Sequence, residues 1–204
     1  MTPRTPASRN PFRVDRLDAL AFVPHEPGLD AAEVVDRFRR RGWHGAAVGP
    51  HGTGKTTLLR TLADAAEAEG HAVWRPFFNR QTPQSQRAAH PPPGVGVWAI
   101  DGWCHLSPLR RRRLRRLARS RGAGVLGTAH LCGWGLPVVH RTRATPALLA
   151  ELCERLAPGV AVDAAALLTR TRGNARDALF ALYDREAGRS DPARPRSRPS
   201  PRGR

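Results

Sequence analysis

Lysine is all but missing from this chain: of 34 basic residues among 204, only Lys55 is a lysine. Cysteine is scarce as well. Cys104, Cys132 and Cys153 form no CxxC pair, which excludes a disulfide-stapled secreted scaffold and fits a reducing compartment. No apolar run approaches the roughly 20 residues a helix needs to cross a bilayer. The opening MTPRTPASRNPFR lacks the apolar core of a secretory signal, and its prolines argue against an amphipathic transit helix. The expectation is a cytoplasmic protein without a membrane partner. A chain of this length buries about two-thirds of its unfolded surface, so it needs no covalent staple.

Acidic residues are also few, 17 against 34 basic ones, for a net charge of +17. Two explanations stand side by side. Such a charge suits a polyanionic partner such as nucleic acid. It also follows from GC-rich codon usage, which favours Ala, Arg, Gly and Pro. Against that bias the solitary Lys55 is informative, because a compact ammonium and a forked guanidinium are not interchangeable on phosphates.

Periodicity predicts an α/β chain. Helices are expected over Leu29–Arg41, Thr56–Glu69 and from Ser107-Pro108 to about Arg121. Strands are expected over Trp43–Val48, His71–Phe78, Gly96–Ile100, Ala123–Thr128 and Leu136–Arg141, with 79–94 a loop. Strands alternating with helices predict a five-stranded, mainly parallel sheet in three layers. After Pro146 the strand signal stops, and Thr145–Leu156, Asp163–Thr171 and Asn174–Ala187 read as three short helices. The expected organisation is an N-terminal arm (1–24), an α/β domain (25–144), a small helical lid-like unit (145–188) and a disordered basic tail (189–204).

Between the first strand and its helix lies Gly49-Pro50-His51-Gly52-Thr53-Gly54-Lys55-Thr56-Thr57, which satisfies G-x-x-x-x-G-K-[ST]. Glycines let the backbone wrap so that successive N–H groups face phosphate oxygens, and the helix N-terminus adds its positive end. Lys55 is suited to the β/γ charge of a triphosphate, and the Thr56 hydroxyl to Mg²⁺. Such a site needs a carboxylate at a second strand end. Val97-Trp98-Ala99-Ile100-Asp101 supplies one, and Asp101 is the only acidic residue between Glu69 and Glu151. ATP with Mg²⁺ is the expected ligand.

These segments resemble the additional-strand division of P-loop ATPases, and in particular its AAA+-like branch. The resemblance covers about residues 25–188 and implies a P-loop NTPase fold. It implies sensor roles near the γ-phosphate for Thr128 and His130, at the polar end of the segment Val125–His130. In Gly173-Asn174-Ala175-Arg176 it implies a lid arginine, Arg176, that reaches the nucleotide. It also makes Arg141 and Arg143 candidates to act on a neighbouring subunit of a homo-oligomer or on a partner protein. One departure bears on turnover: where the family carries a glutamate after the strand-end aspartate, this chain has Gly102. Hydrolysis then draws a base from His105, His130 or a partner, or it is slow. Three functions remain open: an ATPase or ATP-dependent switch acting on DNA, a non-catalytic ATP-binding regulatory module, and a small-molecule kinase.

Two further features stand out. Arg110–Arg121 carries eight arginines. On a helix, Leu109, Leu114, Leu117 and Ala118 are expected to face the sheet, leaving a solvated cationic face that either binds nucleic acid phosphates or is merely exposed. The basic tail offers the same choice. Finally, Cys104-His105 and His130/Cys132 follow strands expected to be neighbours, which brings four zinc-type ligands within possible reach of each other.

Overall fold

The computed structural model describes residues 10–87 and 90–188; residues 1–9 of the arm and the basic tail 189–204 lie outside the described residues. In chain order the elements are α1 (Val14–Asp18), α2 (Ala31–Arg39), β1 (Gly45–Val48), α3 (Lys55–Ala68), β2 (Val73–Trp74), α4 (Gln84–Arg87), β3 (Val97–Ile100) and a 3-10 turn (Trp103–His105). They continue with α5 (Pro108–Ser120), β4 (Gly124–Ala129), β5 (Val138–Arg141), α6 (Pro146–Leu156), α7 (Ala164–Arg170) and α8 (Ala175–Glu186).

Helix starts follow local chemistry. Asp30, Ser107, Thr145, Asp163 and Asn174 each accept a hydrogen bond from the backbone N–H three residues on, at 2.6 to 3.2 Å. Each cap satisfies one donor that the helix cannot satisfy itself, worth about 1 kcal/mol. Pro108 and Pro146 occupy the first helical turn, where no N–H is needed.

The five strands form one all-parallel sheet in the order β2-β3-β4-β1-β5. Helices cover both faces. Ala47, Val97, Ala99 and Leu126 point to the face packed by α2 and α3. Ala46, Val48, Trp98, Ile100 and Val125 point to the other, covered by α5 and Trp103. This period-two alternation lets short, wholly buried strands serve two cores at once. The edge strand is shorter than the expected His71–Phe78. Pro76 cannot donate to a ladder, so pairing lapses after Trp74 and returns as a single bridge between Phe77 and Asp101. The loop expected over 79–94 contains the short α4.

A third core joins α6, α7 and α8 to the N-terminal segment. The described part of the expected arm is docked: Phe12 is fully buried, Leu17 packs beside it, and Asn10 Nδ2 donates to the Tyr183 carbonyl at 2.9 Å. Burial of these apolar side chains contributes to holding the segment against the helices. No helix among the described residues is long and apolar enough to cross a membrane.

Candidate functional site

Val48 ends β1, and the chain turns through 49–54 before α3 opens at Lys55. Gly52 has φ +71°, and a side chain there would collide with the Asn174 amide, so the loop lies flush against the cap of α8. Thr53 is buried, its hydroxyl 2.8 Å from the Pro50 carbonyl and 2.7 Å from the Thr142 hydroxyl. Lys55 is 8% exposed and donates from Nζ to the Pro50 carbonyl within the same loop. Burial pushes its pKa down, partly countered by Asp101 and Cys104.

Two elements reach Asp101 at the end of β3. Thr56 Oγ1, on the first turn of α3, donates to Asp101 Oδ2 at 2.9 Å. Thr128 Oγ1, on β4, donates to Asp101 Oδ1 at 2.5 Å and accepts from the Gly102 N–H at 2.8 Å. Strand order makes this possible, because β4 lies between β1 and β3 and puts the three chain ends side by side. Gly102 has φ +79°, and a Cβ there would run into the Phe78 carbonyl. A glutamate at this position is therefore excluded by the backbone as well as missing from the sequence.

His130 follows β4. Its ring lies 4.0 Å from that of His51 and 6.0 Å from that of His105. Burial is the main cause that lowers its pKa; Lys55, His51 and His105 add to it, and the Gly49 backbone opposes. Its Nδ1 is buried without a hydrogen-bond partner. Cys104, His105 and His130 offer ligand atoms within 4.8 Å of one another, whereas Cys132 is exposed and outside the group. Of the four zinc-type ligands noted in the sequence, three come together.

His51 to Thr57, Asp101, Thr128, His130 and Arg176 all line one cavity of about 340 Å³. Gly49 and Pro50 sit behind it, where Gly49 N donates to the Ala129 carbonyl at 3.1 Å. Arg176 reaches the cavity from the start of α8, paired with Asp18 at 3.3 Å and with its guanidinium 5.4 Å from the Phe180 ring. Arg141 and Arg143 are exposed and do not line it. Sequence reasoning missed the apolar wall, Leu20 to Val23 from the N-terminal segment, with Leu152 and Leu179 from the helical unit. The signal available was the apolar run Leu20-Ala21-Phe22-Val23 inside a stretch read as an arm.

The cationic face of α5 differs from expectation in one respect. Arg111 is buried at 7% exposure and Leu109 is 70% exposed, the reverse of their expected placement. At 100° per residue Arg111 shares a stripe with Leu114 and Ala118, while Leu109 lies on the far side from Ala118. The Arg111 guanidinium sits 4.5 Å above the ring of Trp134, and burial lowers its pKa. Arg111, Arg112, Arg115, Arg116, Arg119 and Trp134 line a second, shallow cavity. No described ion pair involves these arginines.

No protein-family profile matches the chain, and no curated protein matches it. Fold and site together define an α/β protein with a ligand-sized cavity at the carboxyl ends of a parallel sheet, the usual location of ligands in open sheets of this kind.

Proposed function

We propose that the protein is an AAA+-like P-loop ATPase or ATP-dependent switch that binds ATP with Mg²⁺ in the cavity beneath α8. The observation that carries this reading is the 2.9 Å approach of Thr56 Oγ1 to Asp101 Oδ2, beside a buried Lys55 at a helix N-terminus. A hydroxyl and a carboxylate are hard oxygen donors, the set that Mg²⁺ prefers, and they fit that ion. Mg²⁺ bound there supplies charge neutralisation to the β- and γ-phosphates. Lys55 leaves the Pro50 carbonyl and turns its ammonium to the phosphates, where desolvation strengthens the attraction. Backbone N–H groups of 52–56 and the positive end of α3 cradle the same oxygens. Thr128 holds Asp101, His130 faces the γ end, and the Leu20–Val23 wall suits a nucleobase.

Placement of β4 between β1 and β3 supports the additional-strand division, and the three helices α6 to α8 beside the cavity support a lid. Gly102 favours slow turnover, since loss of general-base assistance costs about 10²–10⁴-fold. It equally supports a second reading, a non-catalytic ATP-binding regulatory module. A separate observation, the arginine-lined cavity edged by Trp134, supports a nucleic acid partner, with phosphates on the exposed Arg112, Arg116 and Arg119 and a base against the exposed part of the indole.

Titration of the purified chain with a fluorescent ATP analogue and Mg²⁺ tests the reading. Saturable binding that Lys55→Ala weakens at least about tenfold supports it, in line with the worth of a hydrogen bond to a charged group. No saturable complex, or equal affinity in the variant, overturns it. Turnover with and without added DNA, compared with Lys55→Ala, then separates the switch from the silent module.

A further inference from the structure

We propose that Cys104, His105 and His130 form a binding site for one soft divalent transition-metal ion of the zinc class. This inference goes beyond the nucleotide reading and does not depend on it. The three side chains present one sulfur and two imidazole nitrogens, all within 4.8 Å of each other. A tetrahedral zinc ion with bonds of about 2.0–2.3 Å holds its ligand atoms roughly 3.3–3.8 Å apart, so modest side-chain rotation closes the group. Thiolate and imidazole select zinc, cobalt or copper over magnesium and calcium, which require oxygen. The site is therefore chemically separate from the Thr56 and Asp101 oxygens.

The backbone already holds these residues in place. Cys104 and His105 lie on the 3-10 turn after β3, and that turn is pinned from two sides. The His105 N–H donates to the Gly102 carbonyl at 2.9 Å, and the fully buried Trp103 donates from Nε1 to the Trp134 carbonyl at 3.3 Å. His130 follows β4, the hydrogen-bonded neighbour of β3. Paired parallel strands thus deliver the ligands to one point without any loop having to fold around the ion. Independently, His130 Nδ1 is buried and has no hydrogen-bond partner, although buried polar atoms in folded proteins nearly always have one. A metal ion bound through this nitrogen would supply that partner. Cys104, His105 and His130 line the same cavity as Lys55 and Asp101, so an ion held by these three would keep a position open to it, as in zinc sites that accept water or a ligand rather than in closed structural ones.

The test is a Co²⁺ titration of chelator-treated full-length protein. The expected result is a thiolate-to-cobalt charge-transfer band with tetrahedral ligand-field absorption, saturating near one equivalent and displaced by Zn²⁺. Cys104→Ser removes the charge-transfer band, and His130→Ala weakens Co²⁺ binding at least about tenfold, the loss that even outer-shell changes cause. Cys132→Ser changes neither. A Lys55→Ala protein that has lost ATP retains the cobalt spectrum, so the two proposals fail separately. Should Cys104→Ser not fold, alkylation of the wild-type chain with peptide mapping replaces it: Zn²⁺ shields Cys104 and leaves Cys132 reactive. Absence of the charge-transfer band in the wild type, its persistence in Cys104→Ser, or equal alkylation of Cys104 with and without Zn²⁺ overturns the proposal.

Discussion

Thr128 Oγ1 donates to Asp101 Oδ1 at 2.5 Å, tying the ends of two adjacent parallel strands through a single hydroxyl. The same oxygen accepts from the Gly102 N–H, so one threonine fixes both the direction of the carboxylate and the path of the chain that leaves it. Oδ2 is left aimed at Thr56.

Replacing Thr128 with valine keeps the shape and removes both hydrogen bonds. The Gly102 N–H is then buried without an acceptor, which costs about 1–3 kcal/mol. Thermal unfolding of Thr128→Val is expected to show that loss. Nucleotide affinity in Mg²⁺ should fall as well, because the carboxylate is free to turn. Unchanged stability would show that another acceptor replaces the hydroxyl.

Introducing a glutamate after Asp101 is expected to fail. In Gly102→Glu the new Cβ meets the Phe78 carbonyl, and the left-handed backbone adds roughly 1–2 kcal/mol. The variant should melt earlier than wild type and hydrolyse ATP no faster. A rise in turnover in a steady-state phosphate-release assay would show that the backbone adapts.

Asp101→Asn separates metal from nucleotide. Without the carboxylate charge, affinity for the ATP analogue in Mg²⁺ should fall at least about tenfold, while affinity in EDTA should hold or rise because a like charge near the phosphates is gone. Equal losses in both conditions would place Asp101 in the fold rather than at the ion.

Arg112→Ala and Arg116→Ala test the α5 face. Each should weaken binding of a labelled single-stranded oligonucleotide and lower the slope of log affinity against log salt by about 0.7 for every phosphate that the arginine neutralises. Lys55→Ala should leave that slope alone. Salt-independent binding, or none, would leave the cationic face as plain surface.

His140 makes stability depend on pH. It is 3% exposed on β5, edge-on to Phe22 and His25, with Nε2 lacking a partner. Burial holds its pKa below the usual imidazole value of 6.5; Glu26 opposes, and His25 and Arg37 assist. The folded state therefore binds this proton less readily than the unfolded chain does. Its stability contribution is complete above 6.5 and is lost as pH falls through the depressed folded value. Denaturant midpoints measured between neutral and acidic pH should decline more steeply for the wild type than for His140→Gln.

Much of this architecture was legible in the residues alone. The caps Asp30, Ser107 and Asn174 announce their helices because capping is an interaction within four residues. The apolar runs Trp43–Val48, Gly96–Ile100 and Ala123–Thr128 announce buried strands, and the glycine-rich segment before Lys55 announces a turn between strand and helix. Each of these signals is local, so the order of residues determines it.

Tertiary structure decided what depends on partners distant in the chain. Strand order brought Thr56, Asp101 and Thr128 together across 45 and 27 residues of separation. The partner of the buried Arg111 was set by the fold, which brought the Trp134 ring beneath its guanidinium. The N-terminal segment became a wall of the cavity because Phe12 and Leu17 found a third core. Local periodicity fixes which residues want to be buried, but what they are buried against is settled only when separate segments compete for the same apolar surface.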